Sequence, residues 1–386
     1  MRDRLRILLS GMVAGDARQG GATWAVLQYF HGLRDLGHDV ALVEPLRADS
    51  PIAPEVVDYF RTLDLPGDRS ALLAPTTRET VGMTYEQIVS FAAGCDLLLN
   101  ISGMLADERI LDRIPARAFL DLDPGFNQVW SLQGEDMGFD RHTHFATVGQ
   151  LVGDSRSKAP SCGRTWLPTL PPVVLERWPR QQAPGSGAFT SVGHWRSYGS
   201  TEHAGVSFGQ RAHALRELFE LPRRVDIPIE LALGIHPDEK VDLAALRANG
   251  WRLVDPEEVA GTPDLYADYI RRSSGELGVA KSGYVNSRSG WFSDRSACYL
   301  ASGRPVVAQE TGFGEVLPVG EGLLSFATVA EAAAAIEAVQ ARPELHSAWA
   351  RDLAEDLFDS RKVLERLLLE LASTPDSPPP PSATPK

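Results

Sequence analysis

Residues 291–326 read WFSDRSACYLASGRPVVAQETGFGEVLPVGEGLLSF, and this stretch decides the fold that we expect for the whole chain. Ser293 or Asp294 is a typical N-cap residue for a helix with small and apolar side chains on one face. Gly303 then predicts a left-handed end to that helix. Pro305 opens a short buried strand, and a glycine-bearing loop follows it. Ligands of open α/β sheets bind at the carboxyl ends of strands, so this loop is a candidate binding site.

Short apolar runs bounded by turn residues recur along the rest of the chain and alternate with helical patterns. Because strands that alternate with helices form parallel sheets covered on both faces, the pattern predicts an α/β fold with two similar halves. The predicted strands of the first half are 6–9, 40–43, 97–101, 118–122 and 144–148. Those of the second half are 189–192, 229–233, 251–254, 276–280 and 305–308.

Proline and glycine clusters mark the domain boundaries that we expect. Residues 1–168 form the predicted N-terminal domain, 169–187 a Pro/Gly linker and 188–345 the C-terminal domain. Residues 346–372 form two helical pieces broken at Asp359 and Ser360, and 373–386 form a proline-rich tail that we expect to be disordered.

Composition narrows the function classes. The net charge of −13 argues against non-specific binding to nucleic acid or to an anionic membrane. No apolar run approaches the roughly 18 residues of a membrane span, so we expect no integral membrane segment. The three cysteines, Cys95, Cys162 and Cys298, are far apart and show no metal-binding spacing. That usage favours free thiols in a reducing cytoplasm.

The second half resembles the donor-binding domain of glycosyltransferases with the GT-B architecture. The resemblance rests on a small-small-Gly-x-Pro-Val-Val sequence at 301–307, a glycine-bearing loop, and Gly-x-Gly-Leu-Leu at 320–324. It implies two Rossmann-like, doubly wound domains that face a central cleft, with a C-terminal helix that crosses back to the N-terminal domain. Many retaining members carry two glutamates seven residues apart in this region, where the present chain has Cys298 and a position near Gly290. We therefore expect a mechanism other than the one associated with that pair.

The resemblance also implies a function. A sugar would pass from a nucleotide-diphosphate sugar, held mainly by the C-terminal domain, to a hydroxyl of a small-molecule or glycan acceptor on the N-terminal domain. The nucleotide sugar would be a co-substrate, with no cofactor and no metal. The loop at Gly20 and Gly21 would face the cleft and contact acceptor or donor. A nucleotide-sugar epimerase or hydrolase of the same fold, or a catalytically silent sugar-nucleotide binder, remains the alternative. A nicotinamide dehydrogenase is disfavoured because neither half contains G-x-G-x-x-G.

Several cations fall near predicted strand ends of the second half, where a diphosphate would need them. They can equally be solvated surface charges. The candidate donor and diphosphate residues are Gly193, His194, Arg196, Lys281, Arg288, Ser293, Asp294 and Arg295. By the same resemblance, the candidate sugar-binding residues are Gln309, Glu310, Thr311, Gly312 and Phe313.

Two short patterns supply candidates for a general base. Asp121 and Asp123 follow a predicted strand as D-x-D, a pattern that can hold a divalent metal, place one carboxylate as a base, or simply cap a turn. His142 and His144 flank the next strand, and histidine has a pKa suited to accepting a proton, although both can be ordinary packed side chains. We rank the candidates Asp123, Asp121, His142 and His144, and we expect no metal.

Overall fold

The computed structural model describes residues 4–47, 51–181 and 187–375. The predicted tail lies outside the described residues from 376 onward, as do residues 182–186 of the predicted linker.

The first half of the chain builds one sheet. Its strands are β1 Arg6–Ser10, β2 Asp39–Pro45, β3 Ser70–Leu73, β4 Thr80–Gly82, β5 Leu97–Ile101, β6 Ala116–Asp121, β7 His144–Thr147 and β8 Leu167–Pro168. The spatial order is β4-β3-β2-β1-β5-β6-β7-β8. Neighbours are parallel except for the antiparallel β3–β4 pair at one edge. The helices are α1 Gly20–Asp35, α2 Pro54–Thr62, α3 Tyr85–Ala92, α4 Glu108–Leu111 and α5 Phe126–Leu132.

The second half builds another parallel sheet. Its chain continues with β9 Phe189–His194, β10 Thr201–His203, β11 Val206–Phe208, β12 Ile229–Gly234, β13 Arg252–Leu253, β14 Gly275–Gly278, β15 Val306–Gln309 and β16 Leu323–Phe326. The sheet order is β13-β12-β9-β14-β15-β16, whereas β10 and β11 form a separate hairpin. The α/β class with parallel sheets, predicted from the sequence, is therefore confirmed.

Helices cover this second sheet and finish the described chain. They are α6 Arg211–Arg216, α7 Lys240–Ala248, α8 Pro256–Ala260, α9 Pro263–Arg272, α10 Ser282–Ser287, α11 Asp294–Ala301, α12 Val329–Ala341, α13 Pro343–Leu353 and α14 Ser360–Ser373. Helix α14 includes Ser373, which is the first residue of the predicted tail. Within the described ranges, none of the helices is both long and apolar enough to cross a bilayer.

The stretch at 291–326 folds as its sequence predicts. Ser293 caps α11 by accepting a hydrogen bond from the Arg295 backbone N–H at 3.2 Å. Gly303 adopts a φ of +69° at the end of the helix, where a side chain would be strained. Strand β15 follows at once and is buried throughout. The Ser293 cap, the Gly303 stop and the buried apolar residues therefore account for the helix–loop–strand segment at 294–309.

The C-terminal helices return to the first half of the chain. A π-helical turn, Ala354–Phe358, separates α13 from α14, which is the break predicted at Asp359 and Ser360. The Ser360 backbone N–H donates to the Val173 carbonyl at 2.9 Å. Leu364 and Leu367 of α14 are buried in the core that also contains Ile7 of β1. Helix α14 therefore packs on the first sheet's domain.

Helix α1 joins the cores of the two halves. Its residues Phe30 and Leu33 belong to the core of the first half. Its residues Trp24 and Leu27 belong to the core that contains α9 and α11 residues such as Tyr269. Since one rigid helix contributes to both cores, the two sheets are held together by apolar packing as well as by the chain connection.

Candidate functional site

The carboxyl ends of β6 and β14 meet across the two halves. Asp123 follows β6, and Lys281 follows β14 and immediately precedes α10. The Lys281 Nζ donates to Asp123 Oδ1 at 2.7 Å. The Asp123 and Lys281 side chains retain 31% and 14% exposure, so this ion pair is largely excluded from water.

Two tyrosines complete this contact, and we call Asp123, Tyr198, Lys281 and Tyr284 the interdomain cluster. The Tyr198 hydroxyl donates to Asp123 Oδ1 at 2.7 Å, and the Tyr284 hydroxyl donates to the same oxygen. Burial alone would raise the pKa of Asp123, but Lys281 and the tyrosine hydrogen bonds outweigh it and hold that pKa below its usual value. Asp123 is therefore an ionised anchor for three donors of the other half.

The hairpin β10–β11 extends the same contact. Gln133, just after α5, donates from Nε2 to Thr201 Oγ1 at 2.8 Å and to the Glu202 carbonyl at 3.1 Å. Phe208 of β11 packs edge-on against Phe126 at the start of α5, with ring centroids 5.7 Å apart. The hairpin after β9 thus packs against α5 of the first half and hydrogen-bonds to the residue that follows it.

Arg211, the first residue of α6, is a candidate that the sequence analysis missed. The residue is 8% exposed, and its Nε and Nη1 atoms have no hydrogen-bond partner within the described residues. Its guanidinium lies against Gly193 at the end of β9, where a Cβ would meet Nη1 at 2.3 Å. Burial, followed by repulsion from Arg295, lowers the pKa of Arg211 to about 9, so the group stays charged at neutral pH. Glu276 and Asp294 act on the Arg211 charge but make no hydrogen bond to its Nε or Nη1, so these buried donors are suited to an anionic ligand.

Arg211 and Lys281 form what we call the cationic cluster, and His194, the last residue of β9, lies beside them. Burial, then the charges of Arg211 and Lys281, lower the pKa of His194, while the charge of Asp16 opposes them. Asp16 belongs to the loop between β1 and α1 in the first half. The cluster lies where the two halves meet, because Lys281 pairs with Asp123 of the first half.

Arg295, predicted to bind the diphosphate, is occupied by a different partner. Its Nε donates to Glu276 Oε1 at 2.5 Å, and Nη1 donates to the Val192 carbonyl at 3.1 Å. The Arg295 and Glu276 side chains are 9% and 0% exposed. The pair therefore joins α11 to β14 and β9 inside the domain. The Arg295 Nη2 has no hydrogen-bond partner among the described residues, so the ion pair commits part of this guanidinium and not all of it.

Arg196 and Arg288 lie apart from the cationic cluster. Arg196 is exposed and pairs with Glu239, Nε to Oε1, at 2.5 Å. Arg288 adopts a left-handed conformation after α10 and pairs with Glu315, which also accepts from Arg156. The sequence analysis placed four cations near one diphosphate. The structure instead sends these two to the surface, because acidic neighbours that are distant in sequence are available there.

Asp294 lines a narrow crevice of about 20 Å³ between α1 and α11, which is room for about one water molecule. Burial raises the pKa of Asp294, while the neighbouring Arg295 opposes that shift. Gln28 of α1 lies opposite, with its Nε2 3.6 Å from the Cys298 Sγ. Ser293 is 3% exposed and is used as the helix cap. Of the predicted donor residues, Gly193, His194, Lys281 and Asp294 thus remain at the interface between the halves.

The predicted sugar-binding loop is folded against its own surroundings. Gln309 Oε1 accepts from the Ala280 backbone at 3.3 Å, and Glu310 Oε1 accepts from the Gly312 backbone at 2.5 Å. Thr311 Oγ1 donates to the Trp291 carbonyl at 2.6 Å, and Phe313 is 1% exposed.

The first half also covers this loop. At Gly312, with a φ of +100°, a Cβ would meet Leu151 Cδ1 at 2.7 Å. The Gln150 and Leu151 backbone N–H groups donate to the Gly290 and Ser289 carbonyls. The structure thus brings the five predicted residues together but uses their polar groups within the protein, so a sugar-binding role stays a prediction.

Asp121 is buried and accepts hydrogen bonds from several side chains, so it is not open to solvent. It is 0% exposed and accepts from Asn127 and Gln128 of α5 and from Thr147 of β7. Burial raises the pKa of Asp121 to about 6 despite these donors. Asp121 and Asp123 therefore bind separate sets of partners, although D-x-D places them two residues apart.

The two predicted histidines lie at the opposite edge of the first sheet. His144 begins β7, and His142 precedes it, whereas Asp121 ends the neighbouring β6. His142 contacts the Gly138 carbonyl through Nδ1 at 2.7 Å and Asn100 Nδ2 through Nε2 at 3.0 Å. His144 contacts the Thr374 carbonyl through Nε2 at 3.1 Å. Because H-x-H at the amino end of a parallel strand points away from the ligand edge, this placement gives no support to a base role.

Gly20 and Gly21 lie where the two halves touch. A Cβ at Gly20 would meet the Thr262 carbonyl oxygen at 2.2 Å, and one at Gly21 would meet the Tyr266 ring at 2.8 Å. Trp24 donates from Nε1 to the Pro263 carbonyl at 2.9 Å. These glycines therefore allow α1 to approach α9, which puts them at the interface, as predicted, with close packing as their visible role.

No cluster of three or more histidine, cysteine or acidic side chains suited to a metal occurs in the ranges that the structure describes. Metal independence stays a prediction, because it concerns the reaction and not the fold.

Comparison with known proteins gives a clear result for the fold. No family profile matches the sequence, and no curated protein matches it. An α-glucosyltransferase in complex with UDP-glucose and DNA matches over 96% of this chain and 100% of its own, with a TM-score of 0.60 and 12% identity. HepE from Anabaena in complex with UDP-glucose matches over 95% and 100%, with a TM-score of 0.61 and 12% identity.

A third structure of the same kind is AviGT4, a glycosyltransferase involved in avilamycin A biosynthesis, with a TM-score of 0.51 and 14% identity over 97% and 100% of the two chains. These structures are GT-B glycosyltransferases. The chain therefore has the GT-B fold, as the sequence predicted. Because one match is a DNA complex, the predicted exclusion of nucleic acid stays a prediction.

Proposed function

We propose that this protein is a glycosyltransferase that moves a sugar from a nucleotide-diphosphate sugar to an acceptor hydroxyl without a metal. The observation that carries the proposal is Arg211. Its buried guanidinium has two N–H groups without partners among the described residues, at the carboxyl end of β9. A guanidinium presents paired donors that match phosphate oxygens, and a diphosphate would supply the hydrogen-bond acceptors that these donors lack.

The cationic cluster would act on the leaving group. As the acceptor oxygen bonds to the anomeric carbon and gives its proton to a general base at the cleft, the bond from that carbon to the diphosphate oxygen breaks, and its electron pair stays on the diphosphate. Arg211 and Lys281 would stabilise that developing charge electrostatically from fixed positions. Burial lowers the pKa of Lys281, and the Arg211 charge adds to that shift. The Asp123 carboxylate opposes it. Asp123 would thereby keep Lys281 protonated and position it.

UDP is the first nucleotide to test, because the structural matches include UDP and UDP-glucose complexes. At 10–14% identity those ligands serve here only as a guide to the panel. Hexosyl and deoxysugar donors both fit the proposal. A small-molecule acceptor is favoured over nucleic acid by the net charge of −13.

A thermal-shift and calorimetric titration with UDP, TDP, GDP, CDP and ADP, with NADH as control, tests the proposal. A ligand that binds only the folded state stabilises it by about 2.7 kcal/mol at a hundred times its dissociation constant. Arg211→Gln should lower the affinity for the bound nucleotide about 10- to 100-fold, since hydrogen bonds to charged groups contribute about 1.5–3 kcal/mol.

Arg196→Gln is the matched control, because Arg196 lies in the same segment but pairs with Glu239 on the surface. It should leave the nucleotide affinity unchanged. Binding of none of the nucleotides, or of NADH alone, would remove the proposal. Product analysis with the bound nucleotide's glucose conjugate then separates transfer from epimerisation or hydrolysis, since only transfer requires an acceptor.

A further inference from the structure

The proposed diphosphate site is closed to solvent in this structure. Arg211 is 8% exposed, and the Lys281 side chain is 14% exposed. The Lys281 Nζ lies 4.0 Å from the centre of the Tyr198 ring and donates a hydrogen bond to the Tyr198 hydroxyl oxygen. A phosphate oxygen that reaches Lys281 must take the place of that hydroxyl. Part of the protein therefore has to move before a nucleotide binds.

Main-chain contacts oppose a separation of the two halves. The Leu151 backbone N–H donates to the Ser289 carbonyl at 3.0 Å, and the Lys158 backbone N–H donates to the Ser287 carbonyl at 2.7 Å. Helix α1 also contributes side chains to the cores of both halves. Because separation would break these bonds and divide this apolar packing, the movement of a smaller part of the chain is favoured.

The segment of residues 196–207, which contains β10 and most of β11, differs from its surroundings in burial. Every residue in it is half-buried or exposed. Trp195 and Phe208, immediately outside it, are 1% and 0% exposed. The Ala212 backbone N–H donates to the Trp195 carbonyl at 3.0 Å, which fixes the start of α6. Both ends of the segment are therefore anchored, whereas its middle has the low burial that permits local opening.

Hydrogen bonds to the first half hold this segment in place. The Tyr198 hydroxyl donates to Asp123 Oδ1 at 2.7 Å. Gln133 Nε2 donates to Thr201 Oγ1 at 2.8 Å and to the Glu202 carbonyl at 3.1 Å. Groups near a surface exchange such bonds for bonds to water at little net cost. The segment can therefore leave α5 without unfolding either sheet.

We infer that residues 196–207 form a lid over the proposed diphosphate site, and that the nucleotide enters when this lid lifts from α5 while the two halves stay together. This inference rests on the proposed function. With the lid lifted, the Lys281 N–H that bonds to Tyr198 is free for a phosphate oxygen, and Asp123 still holds Lys281 in position. Closure of the lid then excludes water, which strengthens the contacts of Arg211 and Lys281 with the diphosphate.

A reducible tether between the lid and the end of α5 tests this inference. Gln133→Cys/Thr201→Cys is made in the full chain with the half-buried Cys162 replaced by serine, since the other two cysteines are buried. A bifunctional methanethiosulfonate reagent joins the new cysteines, and stopped-flow fluorescence measures the association rate of UDP. If UDP fails to bind in the earlier titration, the nucleotide of that panel that binds is used. The tether should slow association about 10-fold or more, and reduction with dithiothreitol should restore it.

The control tether joins the two halves away from the lid. Arg18 and Glu257 form an exposed ion pair of 3.0 Å between them. Arg18→Cys/Glu257→Cys, in the same serine background and joined by the same reagent, should leave the association rate unchanged, because the lid can still lift. A control tether that slows association as much as the lid tether would show that the halves must separate, and it would overturn the inference.

A pair of neighbouring substitutions tests the lid without a tether. Thr201→Val removes the hydroxyl that bonds to Gln133, so the lid should open more often and UDP should associate about 3- to 10-fold faster. Glu202→Ala is the matched control, because Glu202 contacts Gln133 through its backbone carbonyl, which the substitution keeps. It should leave the association rate unchanged.

The outcomes separate this inference from the proposed function. Equal association rates before and after reduction of the lid tether overturn the inference and leave the proposed function standing. Association that is no faster in Thr201→Val than in Glu202→Ala overturns it as well. Failure of the untethered protein to bind any nucleotide of the panel removes the proposed function and this inference with it.

Discussion

Asp123 of the first half and Lys281 of the second form an ion pair of 2.7 Å across the cleft. The same Asp123 oxygen accepts from Tyr198 and Tyr284, so one carboxylate fixes three side chains of the opposite half. Lys281 Nζ also lies 4.0 Å from the centre of the Tyr198 ring, and such cation–π contacts are favourable when water is excluded. This contact therefore sets the distance between the two strand edges that carry the proposed site.

Asp123→Asn should destabilise the fold through Lys281. Removing one partner of a fully buried pair costs about 3–5 kcal/mol, and the 31% exposure of Asp123 reduces the expected loss to about 2–3 kcal/mol. Urea unfolding measures this loss. Asp123→Leu/Lys281→Met is the control, because replacing both charges leaves no unpaired cation at position 281, and it should be more stable than Asp123→Asn. Equal stability of the two variants would contradict this account.

Arg295→Met should act on stability and not on nucleotide affinity. Arg295 is paired with Glu276 inside the domain, so its loss leaves a buried carboxylate unpaired at a cost of about 3–5 kcal/mol. The exposed pair Arg361–Glu176 gives the comparison, since Arg361→Met should change the unfolding free energy by less than about 1 kcal/mol. An Arg295→Met protein of normal stability that has lost nucleotide binding would restore the original prediction for this residue.

Gly20→Ala should weaken the contact between α1 and α9. The added Cβ would meet the Thr262 carbonyl oxygen at 2.2 Å, and overpacking of this kind costs about 1–3 kcal/mol. Gly67→Ala is the control, because nothing lies within 4 Å of its Cβ position. Thermal unfolding of the two variants measures the difference. A Gly20→Ala protein at least as stable as Gly67→Ala would show that α1 tolerates a wider separation.

His142 should make the protein less stable as the solution is acidified. Burial lowers the pKa of His142 to about 4, against an ordinary value of 6.5. Between those values the unfolded chain binds a proton that the folded chain does not, so stability falls as pH drops from about 6.5 to 4, by at most about 3 kcal/mol.

His142→Phe removes this proton and should reduce the loss of unfolding free energy in that window, although its overall stability is lower. His31, whose pKa burial also lowers to about 4, and Asp121 keep their own contributions in the variant. Denaturant unfolding at pH 4.5, 5.5 and 7 measures the slope. Variant and unaltered protein with identical slopes would contradict the assignment. Because His142 lies away from the cleft, nucleotide affinity at pH 7 should be unchanged.

Local order in the fold was predictable from the sequence. The helix at 294–301, its Ser293 cap, the Gly303 stop and strand β15 depend on residues close in the chain, and each is where the pattern indicates. The short strands β3, β4, β8 and β16 and the hairpin β10–β11 were missed. Such short runs carry little periodicity, although strands as short as β13 were found where turn residues bounded them. These segments become strands because they pair with neighbouring strands, which their own sequences do not reveal.

The sequence by itself determined the two-sheet α/β architecture and the edge of the second sheet where charged side chains collect. Only the tertiary structure decided which of those charges are available. It paired Arg295 with Glu276, Arg196 with Glu239 and Lys281 with Asp123, and left Arg211 without an acidic partner among the described residues. Periodicity and capping act within a few residues, whereas an ion pair depends on which side chains the fold brings within about 4 Å, often across more than a hundred residues of sequence.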